Sequence, residues 1–195
     1  LEAMEERQIT VDGHTYPLPK PFIVIATQNN VGTAGTQLLP YAQMDRFLVR
    51  LSVGYPDRDA QIAMLRARQD ENPLDRVCQV ASREDVLAMQ TAVRAESVSD
   101  AILDYITRLT MASREHPMLE VGVSPRGALC LCRMAKARAY LLGRDYVVGE
   151  DVQDVWQDVC AHRVAATPKA RLSGVTGADI LRDVLSSVES PDQRL

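Results

Sequence analysis

Apolar and polar positions divide the chain into two stretches with different periods. In residues 1–56 the segments are short and strand-like. Leu1 to Gln8 reads as the end of a helix. Gln8-Ile9-Thr10-Val11 and Thr15-Tyr16-Pro17-Leu18 flank Asp12-Gly13-His14, and Asp-Gly between β-forming residues predicts a hairpin. Phe22 to Thr27 is an apolar run bounded by Pro21, the pattern of a strand covered on both faces, and it delivers Thr27-Gln28-Asn29-Asn30 at its tip. A Gly-rich loop over residues 31–36 follows, then a short helix around Pro40 to Asp45. Phe47 to Val53 alternates like a further strand and is broken by Gly54-Tyr55-Pro56.

From Asp57 the period becomes that of helices. Ile62 and Leu65 mark one face of a helix over 57–68. Ser82-Arg83-Glu84-Asp85 resembles a capping box, with Asp in the place of Glu or Gln, and opens a helix presenting Val86, Met89 and Val93. Ile102, Tyr105, Ile106 and Leu109 follow the i, i+3, i+4, i+7 spacing of a core-facing stripe. Ser124-Pro125 is an N-cap with Pro at the first helical position, and Gly143 supplies the stop. Val152, Val155, Trp156 and Val159 mark a helix over 150–163, and Thr176 opens a last one with Ile180, Leu181, Val184 and Leu185. The fold class expected is mainly α: a partial α/β piece, 1–56, followed by a helical bundle, 57–195.

Composition changes this picture little, but charge narrows the chemistry. The 195 residues are 46% hydrophobic and 25% charged, ordinary values for a globular protein, and aromatics at 5% favour helix over sheet. A net charge of −4 gives no electrostatic reason to expect nucleic acid as a partner. The basic residues are 19 Arg and 3 Lys, so phosphate or carboxylate recognition would fall to guanidinium groups. Cys78, Cys130, Cys132 and Cys160 lack metal-ligand spacing and read as buried thiols of a reducing, cytoplasmic environment. No apolar run is long enough to span a membrane.

Three residues are candidates for chemistry. Asn29 would project from the end of a buried strand, where open α/β sheets bind ligands; taken alone it fits an Asx-turn better. Arg46, in Asp45-Arg46-Phe47, taken alone fits a surface arginine near a helix C-terminus. Arg126, just inside a helix start, opposes the helix dipole, and with the free N–H groups there it fits an anion site or a plain solvated start equally well. Glu5-Glu6 reads as a solvated helix end. His14, His116 and His162 stand apart, so no metal cluster is expected.

In order along the chain, Leu1-Glu-Ala-Met-Glu-Glu-Arg-Gln-Ile-Thr-Val-Asp-Gly, Tyr16-Pro-Leu-Pro, Ile25-Ala-Thr-Gln-Asn and Gln43-Met-Asp-Arg-Phe-Leu closely resemble the MoxR family of AAA+ ATPases. Gly54-Tyr-Pro, Gly122-Val-Ser-Pro-Arg-Gly, Gly143-Arg-Asp-Tyr-Val, Glu150-Asp-Val and His162-Arg163 extend the resemblance over nearly the whole chain. It implies the sensor 1 end of an AAA+ core followed by a helical lid. It places Asn29 at sensor 1, beside the attacking water and the γ-phosphate. Arg46 falls at the arginine finger that reaches a neighbouring subunit's nucleotide, and Arg126 at sensor 2 of the lid. The implied cofactors are ATP and Mg²⁺. The implied assembly is a ring, a hexamer, that remodels or activates a client with a von Willebrand A domain.

Two departures from the family pattern stand out. Asn30 replaces a Pro after the sensor Asn, and Tyr41 replaces a Glu in the run before Asp45. Lys20, Lys136 and Lys169 lack a Gly-Lys-Ser/Thr context, and no apolar strand here ends in Asp-Glu. With no initiator Met, the chain is expected to start inside a longer protein whose earlier part carries both Walker motifs, and to be inactive alone. A magnesium-chelatase-type motor subunit and a nucleotide-independent helical interaction module are the alternatives.

Overall fold

The computed structural model describes residues 2–28, 39–68 and 72–191. It opens with a one-turn helix, α1 (Glu2–Glu5), and an antiparallel hairpin of β1 (Gln8–Val11) and β2 (His14–Pro17). Asp12 and Gly13 both take positive φ, 50° and 77°, the pairing whose twist matches that of the flanking strands. Glu2 fastens the helix to the hairpin, its carboxylate accepting from the Thr10 N–H at 3.0 Å and the Thr10 hydroxyl at 2.6 Å. The Thr10 hydroxyl bond holds the Glu2 carboxyl below its usual pKa.

Two expected strands do not form. Residues 22–28 and 47–53 carry no strand, and Ile25 and Val53 are 88% and 96% exposed. Among the described residues the strand ladders are β1–β2 and a short ribbon further on, and neither segment pairs with either of them. Extended backbone without a ladder must find other partners for its N–H and C=O groups, in water or, as for Phe47, Leu48 and Arg50, elsewhere in the protein. Asn29 and the loop over residues 31–36 lie outside the described residues.

The helices are α2 (Tyr41–Met44), α3 (Arg58–Ala67), α4 (Arg83–Ala95), α5 (Asp100–Glu115), α6 (Pro125–Leu141), α7 (Gly149–Cys160) and α9 (Gly177–Ser187), close to the expected pattern, with a 3₁₀ turn (Pro73–Arg76) and a short α8 (Pro168–Leu172) that were not expected. Asp57, Ser82, Ser99, Ser124 and Thr176 each cap a helix start with a side-chain oxygen. The Ser82 box is completed by Asp85, which accepts from the Ser82 N–H at 2.8 Å. Gly143 ends α6 at φ 73°. A ribbon of β3 (Leu119–Val121) and β4 (Ala165–Ala166), absent from the sequence reading, ties the α5–α6 link to the segment after α7.

The core lies among α5, α6, α7 and α9. Tyr105, Leu109, Leu131, Trp156, Ile180 and Leu181 are fully buried there. The Trp156 indole donates to the Leu181 carbonyl at 2.9 Å, so burying the ring leaves no orphaned N–H. Ala135 and Ala139, also fully buried, keep that face of α6 shallow where the core packs against it. Arg144 and Asp151 form a two-bond ion pair at 2.8 and 2.5 Å, and Asp151 also accepts from the Val148 N–H at 2.9 Å. That accounts for the Gly143-Arg144-Asp145 and Glu150-Asp151-Val152 motifs as structural. Cys130 and Cys160 are buried free thiols, whereas Cys78 is exposed and Cys132 half-buried, against the expectation that all four are buried. Among the described residues no helix is long and apolar enough to cross a membrane.

Candidate functional site

The hexapeptide Gly122-Val123-Ser124-Pro125-Arg126-Gly127 is built residue by residue around its arginine. A Cβ on Gly122 would lie 2.6 Å from the Arg114 Cα, so only Gly lets this segment close onto the end of α5. Val123 is fully buried, and its N–H donates to the Ser113 hydroxyl at 3.0 Å. Ser124 caps α6 by accepting from the Gly127 N–H at 3.1 Å. Pro125 takes the first helical position. A Cβ on Gly127 would meet Val123 Cγ1 at 2.6 Å and Arg163 Cδ at 3.0 Å, so this glycine makes room for a second arginine beneath the helix. Arg126 is left to point outward.

Arg163 is that second arginine, and its side chain is 0% exposed. Its Nε donates to Asp45 Oδ1 at 3.0 Å. Nη2 donates to the carbonyls of Phe47 at 2.6 Å and Asp45 at 3.2 Å. Nη1 serves Leu48 at 3.2 Å and Val159. The five N–H groups are thus spread over one carboxylate and four carbonyls, which is how a buried guanidinium avoids an unpaired donor. The other side of Asp45 accepts from the Ser124 hydroxyl, 3.2 Å from both carboxylate oxygens. One carboxylate therefore joins the turn that carries Arg46 to the cap of the helix that carries Arg126. The Arg50 N–H donates to Asp158 at 2.9 Å and Val49 packs on the core, so residues 45–50 are docked on the helical part.

The same site contains His162, 2% exposed. Its Nε2 lies 3.1 Å from the Phe47 carbonyl and 2.7 Å from Arg163 Nη1, and its Nδ1 has no hydrogen-bond partner. Burial first, and the adjacent guanidinium second, push its pKa down to about 4. The unfolded chain therefore takes up a proton near pH 6.5 that the folded chain refuses until about pH 4. Stability is full above the higher value and falls as pH drops through that window, by roughly 3 kcal/mol at its lower end. Urea midpoints measured between pH 7.5 and pH 4 are expected to show this slope, and His162→Asn is expected to flatten it.

Arg46 and Arg126, 80 positions apart, meet at one side chain. Arg46 Nε donates to Glu5 Oε2 at 2.9 Å, and Arg126 Nη2 donates to Glu5 Oε1. Their side chains are 27% and 40% exposed, and that of Glu5 is 41% exposed. Glu5 is thus no solvated helix end: it accepts from both guanidiniums, a role that nothing in its local sequence signalled. The structure brings together two of the three predicted site residues, while Asn29 lies outside the described residues. Two guanidiniums so placed can bind a tetrahedral oxyanion with several N–H donors. Among the described residues no cluster of three or more His, Cys, Asp or Glu is placed to hold a metal ion.

Comparison with known proteins identifies the family. Residues 1–49 match the model of the ATPase family associated with various cellular activities (AAA), and residues 111–184 match the AAA lid domain. The chaperone MoxR1 of Mycobacterium tuberculosis is 34% identical over 98% of this chain and 52% of its own length. The chain belongs to the MoxR family of AAA+ ATPases. It corresponds to the C-terminal portion of its MoxR relatives, joining part of an AAA+ core to a helical lid. The uncharacterised protein YeaC of Bacillus subtilis is 40% identical over the whole chain, which spans 61% of YeaC. A crystal structure of a candidate ATPase from Cytophaga hutchinsonii superposes with a TM-score of 0.89 at 33% identity, covering 98% of this chain and 61% of that one. A magnesium-chelatase subunit of Arabidopsis thaliana is a weaker match, 30% identical over 90% of this chain and 41% of its own length.

Proposed function

We propose that this MoxR-family chain is the part of an ATP-hydrolysing ring that senses the nucleotide and transmits its state to a partner. The observation that carries this reading is the meeting of Arg46 and Arg126 on one carboxylate, held together by the Asp45–Arg163–Ser124 network. Phosphoryl transfer passes through a loose transition state with negative charge spread over the transferred group. Preorganised guanidiniums stabilise that charge without rearranging during the step. Arg46 acts as the arginine finger on the nucleotide of a neighbouring copy, and Arg126 acts as sensor 2 on the same terminal phosphate. Asn29 positions the attacking water as sensor 1. Mg²⁺, if held at the Walker motifs of an extended chain, would supply charge neutralisation at the phosphates.

In this reading residues 1–56 belong to the core and 57–195 form the lid. Residues 22–27 and 47–53 become strands when the remaining strands of the core sheet are present. The ring is a cytoplasmic hexamer that remodels or activates a protein with a von Willebrand A domain. ATP turnover by these 195 residues alone is expected to be undetectable, because they contain no Gly-Lys-Ser/Thr segment. Turnover is expected to appear when the chain is extended by a segment carrying both Walker motifs, together with a rise in solution mass on adding ATP. Turnover by the 195 residues alone, or an extended chain that remains monomeric and inert, would overturn the reading.

A further inference from the structure

We propose that Glu5 is the resting counter-ion of the arginine pair: it holds Arg46 and Arg126 side by side until the terminal phosphate of a nucleoside triphosphate replaces it. The inference rests on the reading of the two arginines given above. Glu5 is held in place from behind. Glu2, one turn earlier in α1, is bonded to Thr10 of the hairpin, so α1 is fixed and presents Glu5 towards the arginines. The Glu5 carboxylate gives one oxygen to each guanidinium, and both of its oxygens are used. A terminal phosphate has three free oxygens and more negative charge. It can engage the same two donors and retain an acceptor for a further group. The carboxylate and the two guanidiniums together carry a net charge of +1, so the site still attracts an anion while Glu5 occupies it.

Exposure makes the exchange easy. All three side chains are more than a quarter exposed, and ion pairs in that setting contribute little to stability. The contrast is with Arg163, which is fully buried and bonded to four carbonyls besides the Asp45 carboxylate. Nature thus places a fixed arginine next to two exchangeable ones. Without a counter-ion the two guanidiniums would repel each other, so Glu5 also keeps them close enough to act together.

The test is binding of inorganic tripolyphosphate to this chain by titration calorimetry at low salt. Glu5→Gln removes the competing charge and is expected to bind roughly fivefold more tightly than the parent. The gain is expected to vanish when Glu5→Gln is combined with Arg46→Ala or Arg126→Ala. Glu6→Gln removes the same charge one residue away, where the carboxylate accepts from Gln8, and is expected to leave affinity unchanged. A role confined to fastening α1 would lower the melting temperature of Glu5→Gln and leave anion affinity as it was, which overturns the proposal. So would a gain equal to that of Glu6→Gln, a gain that survives loss of either arginine, or no binding by any variant. Because the readout is binding and not turnover, it is independent of whether Arg46 proves catalytic in the assembled ring.

Discussion

Arg46→Ala, made in the chain extended by a segment carrying both Walker motifs, is expected under the proposed function to lower kcat for ATP by about 10³- to 10⁵-fold, the range found for removal of an arginine finger. The turn that carries Arg46 should survive the change. Its backbone is held by Arg163 through the carbonyls of Asp45, Phe47 and Leu48, and its neighbour Asp45 is held by Ser124. The side chain itself is partly exposed and bonded to a carboxylate that keeps Arg126 as a partner. The melting temperature and the mass of the assembled ring should therefore stay close to those of the parent. Arg46→Lys is expected to recover little, because a lysine offers a point charge in place of the planar fork that meets two oxygens at once. A loss below tenfold with the assembly intact would remove Arg46 from the catalytic machinery.

How much of this was legible in the sequence differs between the two parts of the chain. Most of the longer helices were legible from an apolar stripe, and the starts at Ser82, Ser124 and Thr176 from their caps as well; α7 has no side-chain cap and was legible from its stripe alone, and α8, five residues long, was too short to read. The Asp12-Gly13 hairpin was legible because its turn is decided by two residues. Residues 22–27 and 47–53 read as strands but are not strands here, because a strand exists only with a partner and apolar pattern says nothing about whether one is present. The β3–β4 ribbon was missed because two and three residues are too few to show a period. At the site, Arg46 and Arg126 were picked out by their motifs, but their meeting point was not. Glu5 lies 41 positions from one and 121 from the other, and no local pattern connects them. His162-Arg163 was visible as a motif without a role; the structure supplies one, and it depends on Gly127 lacking a Cβ.

Arg163→Met is expected to destabilise the fold by about 3–5 kcal/mol, the range for breaking a buried ion pair by removing one partner. Met fills a similar length without a charge, so the loss reflects pairing more than volume. Asp45 would keep the Ser124 hydroxyl but lose its cation, and the carbonyls of Phe47, Leu48 and Val159 would each lose a donor. Combining Arg163→Met with Asp45→Asn is expected to recover part of the loss, because the carboxylate is then no longer unpaired. Urea midpoints of the two single variants and the double variant measure that coupling. Equal and additive losses would mean that Asp45 and Arg163 do not act as a pair. Turnover of the extended protein should also fall in Arg163→Met, for a different reason from Arg46→Ala. Arg46 and Arg126 would still be present, but the turn carrying one and the helix cap carrying the other would no longer share a carboxylate. Arg46→Ala is therefore expected to lose rate at constant stability, whereas Arg163→Met is expected to lose both together, which separates the residue proposed to touch the phosphate from the one that holds its turn in place.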